Sequence, residues 1–401
     1  MRFFMLLLAG CLLAASSLHA ADSADLAAAT SRLKEIAGAT CVAAPSGEIT
    51  EIVIPDGSRV TADDIALIGR LSELTKLQVL NCREFDDAMV TRLAGLGKLT
   101  SLAITNSGVG DAAVVTIAAS FPNLVELDLS SNTNLTGAAM KSIASLTKLE
   151  RLALVQTRFN DLTFRRLSKL AALKAVDLRG NMEAGDMTLG VLGGLPSLRA
   201  VKHRSSVVTD EGMADLAKSG TLDSLLAQDF AITNASGAHL AALAGLTSLE
   251  VFRCQGFGSE GVLALAPLKK LNRLTLRDLP EVGDGGLAVL GELPGLKRLY
   301  LHELASVGDE GLAHLAAARQ LEVLDIWSVP RLTDASAAVI ASLPHLKELS
   351  IRETGLTAAA LDTLAAIPAL DVLTFKNGAV PEATAAKIAA MKKWKKLDIG
   401  K

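Results

Sequence analysis

The amino-acid sequence predicts an α/β solenoid, a horseshoe with parallel strands on its concave face and helices on its convex face. Three observations carry this. The pattern L-x-x-L-x-L recurs fourteen times at a mean period of about 24 residues. Each copy continues with a hydrophobic residue, a Thr or Gly, usually an Asp, and then an Ala/Leu-rich stretch with helical spacing, as in Val208-Thr209-Asp210-Glu211-Gly212-Met213. Half of the 401 residues are apolar, yet one strand-loop-helix coil cannot bury its apolar side alone, so the coils must stack.

Before the repeats, Arg2 precedes the apolar run Phe3 to Ala15, which is too short to span a bilayer, and Ser16, Ser17 and Ala20 follow it. This predicts a secretory signal peptide over residues 1–20 and a mature chain starting at Ala21. With no other membrane-spanning run, the mature chain is expected to be secreted, periplasmic or held in the cell envelope. Leu8-Ala9-Gly10-Cys11 resembles a bacterial lipobox, so acylation of Cys11 is the alternative; against it, Leu12 to Ala15 stay apolar.

Residues 21–48 read as an N-terminal cap, with Leu26, Leu33 and Ile36 at helical spacing, and residues 49–401 as a solenoid of about 14–15 repeats. Ile52 and Ile54 mark an imperfect first strand. The regular copies run from Leu77-Leu80-Cys82 and Leu99-Leu102-Ile104 through Leu198-Val201-His203, Leu222-Leu225-Ala227, Leu249-Phe252-Cys254, Leu271-Leu274-Leu276, Leu296-Leu299-Leu301, Leu321-Leu324-Ile326 and Leu346-Leu349-Ile351 to Trp394-Leu397-Ile399. Trp394 and Lys392 to Lys396 are expected to cap the last coil. The mature chain keeps Cys41, Cys82 and Cys254, an odd number far apart, so no disulfide framework is implied and Cys82 and Cys254 read as small buried hydrophobes.

These copies resemble the leucine-rich repeat family over residues 49 to 399, in the short-period form of exported bacterial proteins and of the cysteine-containing repeats of F-box proteins. The loop position that is Cys or Asn in many members is Asn132 and Asn181 here but Leu279, Leu304 and Val329 elsewhere, and no F-box precedes the repeats. The resemblance implies binding rather than catalysis.

A net charge of -3 argues against a nucleic-acid-coating protein. Gly256-Phe257-Gly258-Ser259-Glu260-Gly261 matches a dinucleotide fingerprint, but Gly261 falls in register with Gly212, Gly286 and Gly311 and belongs to the repeat. His302-Glu303-Leu304-Ala305-Ser306 lacks the second His of a zinc-protease motif. Neither a cofactor, nor a metal, nor an enzymatic activity is expected.

The third, fifth and seventh places of each copy point out of the concave sheet. From the Leu173 copy to the Leu370 copy they read as nine basic residues against three acidic ones, with the chain's single Tyr, Tyr300, next to Trp327. Arg253, Arg277, Arg298, Tyr300, His302, Trp327 and Arg352 are therefore the expected partner-binding residues, since Trp, Tyr and Arg dominate interface hot spots. The expected function is an exported, non-catalytic recognition or scaffolding protein with a protein partner of acidic surface. The alternative is a carbohydrate or cell-envelope binding module with sugar rings on Tyr300 and Trp327. The bland competitor is a solvated sheet in which Asp278, Glu303 and Glu353 neutralise the arginines.

Overall fold

A computed structural model describes residues 38–400 together with 27, 31–33, 35 and 36. The expected signal peptide, Cys11 and Leu26 lie outside the described residues. Among those described, the strands are β1 Thr40–Ala43, β2 Ile49–Ile54, β3 Lys76–Leu80, β4 Ser101–Thr105, β5 Glu126–Asp128, β6 Arg151–Ala153, β7 Ala175–Asp177, β8 Ala200–Arg204, β9 Ser224–Gln228, β10 Ser248–Phe252, β11 Arg273–Arg277, β12 Arg298–His302, β13 Val323–Val329, β14 Glu348–Thr354, β15 Val372–Lys376 and β16 Lys396–Ile399. Short α- or 3-10 helices alternate with them, which is the predicted α/β solenoid. The chain forms two compact units, Met1–Glu126 and Leu127–Lys401.

In the first unit β2, β3 and β4 pair in parallel, Ile52 beside Leu77 beside Leu102. Leu33 and Ile36 are buried, as their spacing predicts. The antiparallel strand β1, which pairs with β2, was not signalled by that spacing. Thr61 and Asp64 form a reciprocal capping box at helix Ala62–Ile68, and Arg32 reaches Asp64 at 2.8 Å.

In the second unit β6 to β16 pair in parallel in chain order, and the inward residues stack in register as Leu274, Leu299, Leu324 and Leu349, each at most 1% exposed. His203 takes one such inward place and is fully buried. Its Nδ1 and Nε2 lie 3.2 and 2.8 Å from the carbonyl oxygens of Leu178 and Ala184, and burial pushes its pKa below the usual imidazole value. Trp394 donates to the Ile388 carbonyl, and Lys392 donates to the carbonyls of Ile367 and Leu370, which ties the last coil to the one before it.

Two copies are shifted by three residues from the frame read in the sequence. Strand pairing puts Ile52 beside Leu77 and Ile54 beside Val79, so the first regular copy is Leu74-Leu77-Val79; likewise the eighth is Leu246-Leu249-Val251. The cause is an apolar residue, Leu80 or Phe252, at the seventh place, which mimics the fourth consensus position of a later frame. Cys82 and Cys254 thus occupy the loop position held by Asn132 and Asn181, not a strand position. They are nevertheless buried. The Cys254 thiol faces the carbonyls of Ala227 and Phe252 at 3.7 and 3.5 Å, and burial pushes its pKa up to about 12. We expect native alkylation with iodoacetamide to label half-buried Cys41 and to spare Cys82 and Cys254, and mass spectrometry of the trapped peptides reads this directly. Rapid labelling of Cys254 would contradict its burial.

In several coils the first-turn Asp of the helix caps not its own helix, as the spacing suggests, but the next coil, although Asp86 caps its own helix by accepting from the Met89 amide. Thr209 and Thr357 accept locally from the amides of Glu211 and Ala359. Asp284, by contrast, accepts from the Gly308 and Gly311 amides at 2.6 and 3.1 Å, Asp309 from the amide and hydroxyl of Thr333 and the hydroxyl of Ser336, and Asp334 from the amide and hydroxyl of Thr357. Stacking places the first-turn carboxylate of one coil against the orphan N–H groups of its successor. Asn234 does the same for Gly258 and Gly261, and a Cβ on Gly261 would meet the buried ring of Phe257 at 2.7 Å. The glycines of the apparent dinucleotide fingerprint therefore serve coil packing.

Candidate functional site

Arg253, Asp278 and Glu303, which follow β10, β11 and β12, and Ser328 near the end of β13 adopt left-handed backbone, with φ between 50° and 55°. The amides of Arg253, Asp278 and Glu303 each donate to a carbonyl of the next strand, which offsets the cost of that conformation. One outward row of strand side chains runs beside these turns, half-buried except at Phe252, which is buried under the guanidinium groups of Arg253 and Arg277. Phe252, Arg277, His302, Trp327 and Arg352 stand side by side along it.

The row mixes cations and rings. The Arg277 guanidinium lies 4.3 Å from the Phe252 centroid and 5.2 Å from that of Trp327, Arg352 lies 5.8 Å from Trp327, and Arg253 lies 4.6 Å from Phe252. His302 is edge-on to Trp327 at 5.8 Å and to Tyr300 at 6.0 Å. Tyr300 carries Arg273 at 4.5 Å over its face. Each such contact contributes about 0.5–1 kcal/mol at an exposed site, so their joint effect is to hold large side chains in one geometry.

Carboxylates complete the lattice. Arg277 pairs with Glu303 at 2.7 Å, Arg253 with Asp278 at 3.1 Å and Asp229 at 3.6 Å, and Arg352 with Asp325 at 3.0 Å. His302 Nε2 is 3.6 Å from Asp325, too far for a hydrogen bond, and is buried without a hydrogen-bond partner among the described residues. Burial would raise the Asp325 pKa, but His302 and Arg352 beside it hold it below the usual carboxylate value.

Of the sequence-predicted residues, Arg277, Tyr300, His302, Trp327 and Arg352 are brought into one cluster. Arg253 is not an outward strand residue; the three-residue frame shift moves it into the turn after β10, where it bridges two aspartates. Arg298 opens β12, exposed and without an ion pair among the described residues. Phe252 escapes the sequence reading because the shifted frame treats it as core, and Asp325 because a lone acid among arginines carries no signal of its own. The basic stripe is also less basic than it reads. Correcting the frame replaces Arg253 by Glu250, giving eight basic and four acidic positions. Arg179, Arg204 and Lys376 are paired with Asp177, Asp229 and Asp398.

Elsewhere in this unit an open groove of about 440 Å³ runs along the helices, lined by Met187, Gly190, Val191, Gly193, Gly194, Asp215 and Lys218. Among the described residues no group of three His, Cys, Asp or Glu side chains could hold a metal ion, and no helix is long and apolar enough to cross a membrane.

The family model described as leucine-rich repeat region matches residues 111–399. No curated protein matches the chain. Among solved structures it is similar to an internalin (inlF) from Listeria monocytogenes, with a TM-score of 0.53 and 20% identity over 88% of this chain and 95% of that one. It is also similar to a chain of the yeast Rad7 and Elc1 complex, with a TM-score of 0.56 and 16% identity over 81% and 80%. A leucine-rich repeat protein of Leptospira interrogans gives a TM-score of 0.52 and 20% identity over 83% and 80%. At these identities the likeness concerns the fold.

Proposed function

We propose, from the premise that the chain belongs to the leucine-rich repeat family, that it is an exported, non-catalytic recognition or scaffolding protein that binds a protein partner through the solvent face of β10 to β14. The observation that carries this reading is the lattice of Phe252, Arg277, Tyr300, His302, Trp327 and Arg352, in which ring-cation contacts and ion pairs hold hot-spot side chain types in place before a partner arrives. Preorganisation of this kind lowers the ordering cost of association. One of the similar structures is itself a complex of two proteins. Export rests on the sequence of residues 1–20.

The carbohydrate alternative is less favoured, because Arg273 covers Tyr300 and Arg277 and Arg352 flank Trp327, so a sugar ring would have to displace a guanidinium to stack. The test is affinity capture from the exported and envelope fractions of the source cell, comparing the mature protein with a Tyr300→Ala, Trp327→Ala, Arg352→Ala variant of equal thermal stability. The mature protein is expected to retain a protein that the variant loses. Equal retention by both would remove the face from consideration. Export has its own check: the protein recovered from that fraction is expected to begin at Ala21, and recovery of the chain beginning at Met1 would contradict cleavage.

A further inference from the structure

Charges on the sheet face of the second unit are almost everywhere interleaved with their opposites. In the row just before the strands Glu322 sits between Lys297 and Lys347 at 3.1 and 2.8 Å, and in the turn row Arg253 sits between Asp229 and Asp278. Arg352 and Lys376 are register neighbours, but each has its own aspartate. Arg273 and Arg298 break this rule. They stand directly side by side at the start of β11 and β12, both exposed, and among the described residues neither has a carboxylate within ion-pair distance. Adjacent strands are about 4.8 Å apart, and like charges directly opposite each other are destabilising.

Their neighbours add a second observation. Tyr300, two residues beyond Arg298, holds the Arg273 guanidinium against its ring, which fixes the group's plane and leaves its edge N–H donors for an acceptor. Thr275, two residues beyond Arg273 and the register partner of Tyr300, has a buried hydroxyl with no hydrogen-bond partner among the described residues. Two unneutralised guanidinium groups and an unused hydroxyl thus share one patch, whereas the arginines on the Trp327 side are already engaged.

We propose that Arg273 and Arg298, supported by Tyr300 and Thr275, form an anchoring site for a carboxylate side chain on an acidic segment of the protein partner. One carboxylate has enough lone pairs to accept from both guanidinium groups, and its charge removes their mutual repulsion. The proposal rests on reading this face as a protein-recognition surface and deepens it by naming the anchor.

The test uses the full mature chain and a short blocked peptide alternating Glu and Ser, with the matching Gln and Ser peptide as neutral control, by isothermal titration at low salt. The Glu peptide is expected to bind, the Gln peptide to bind at least about tenfold more weakly, and Arg273→Gln or Arg298→Gln each to weaken the Glu peptide about tenfold. Lys218→Gln, on the helix side and paired with Asp215, is expected to keep full affinity. Melting temperatures of the Arg273 and Arg298 variants should equal or exceed that of the parent, since a repulsion is removed. No binding of the Glu peptide, equal binding of the two peptides, or full affinity in the double Arg273→Gln, Arg298→Gln variant would overturn the anchor. A sulfated oligosaccharide that binds the same two arginines more tightly than the peptide would overturn the protein source of the anion. Should the anchor fail while the Tyr300, Trp327, Arg352 variant still loses its captured protein, the recognition face stands and only the anchor is wrong.

Discussion

Asp309→Ala is expected to lower the unfolding free energy by about 3 kcal/mol, from the loss of three charge-assisted hydrogen bonds and the desolvated donors left behind. The carboxylate accepts from the Thr333 amide at 2.9 Å, the Thr333 hydroxyl at 2.6 Å and the Ser336 hydroxyl, all in the next coil. Its removal opens the start of helix Ser336–Ala341 and severs a link between neighbouring coils, and a solenoid relies on just such neighbour interfaces. Asp309→Asn keeps an acceptor and should cost less. Urea denaturation checks the size. The pH dependence checks the mechanism. Burial would raise the Asp309 pKa, but the bonds from Ser336 and Thr333 hold it below the usual value, and Asp210 with Ser236 and Thr233 behaves alike. A folded-state value below the unfolded one, about 3.9, means the contribution is fully present above that value and is lost as pH falls through the folded one. The parent should therefore lose stability below about pH 4, and Asp309→Ala should lose less over the same range. Equal stability of parent and Asp309→Ala at pH 7 would show that the forward cap contributes nothing.

Trp327→Ala is expected to weaken partner binding by at least about thirtyfold, a loss of about 2 kcal/mol or more, which is the range of a central aromatic hot spot. Trp327 is half-buried, flanked by Arg277 and Arg352 and met edge-on by His302, so its removal releases three side chains as well as its own contact area. Trp327→Phe keeps a ring and should recover part of the affinity. Because the side chain lies on the solvent face, the melting temperature should change little. A large fall in melting temperature with unchanged affinity would assign Trp327 to the scaffold instead.

The solenoid is legible in the sequence because each coil must repeat the same inward Leu and Ile residues at the same spacing. Places where chemistry does not repeat were harder to read. Leu80 and Phe252 are apolar at an outward position, and they shift the apparent frame by three residues, which turned Arg253 from a turn residue into an expected strand residue and hid Phe252. Only the pairing of Leu249 with Leu274 resolves this. The forward capping by Asp284 and Asp309 is equally hidden, since a local N-cap and a cap on the next coil share one pattern. The aromatic pair Tyr300 and Trp327 could be placed from register alone. Which arginines are free could not, because Arg277 and Glu303 meet only across strands through a left-handed turn.

Site-specific photo-crosslinking separates recognition on the sheet face from recognition on the helices. A photoreactive amino acid is placed at Arg298 on the sheet face in one sample and at Lys218, which lines the helix-side groove, in another. Each is irradiated with the captured partner. A covalent adduct is expected from position 298 and none from position 218. An adduct from position 218 alone would place recognition on the helices and contradict it.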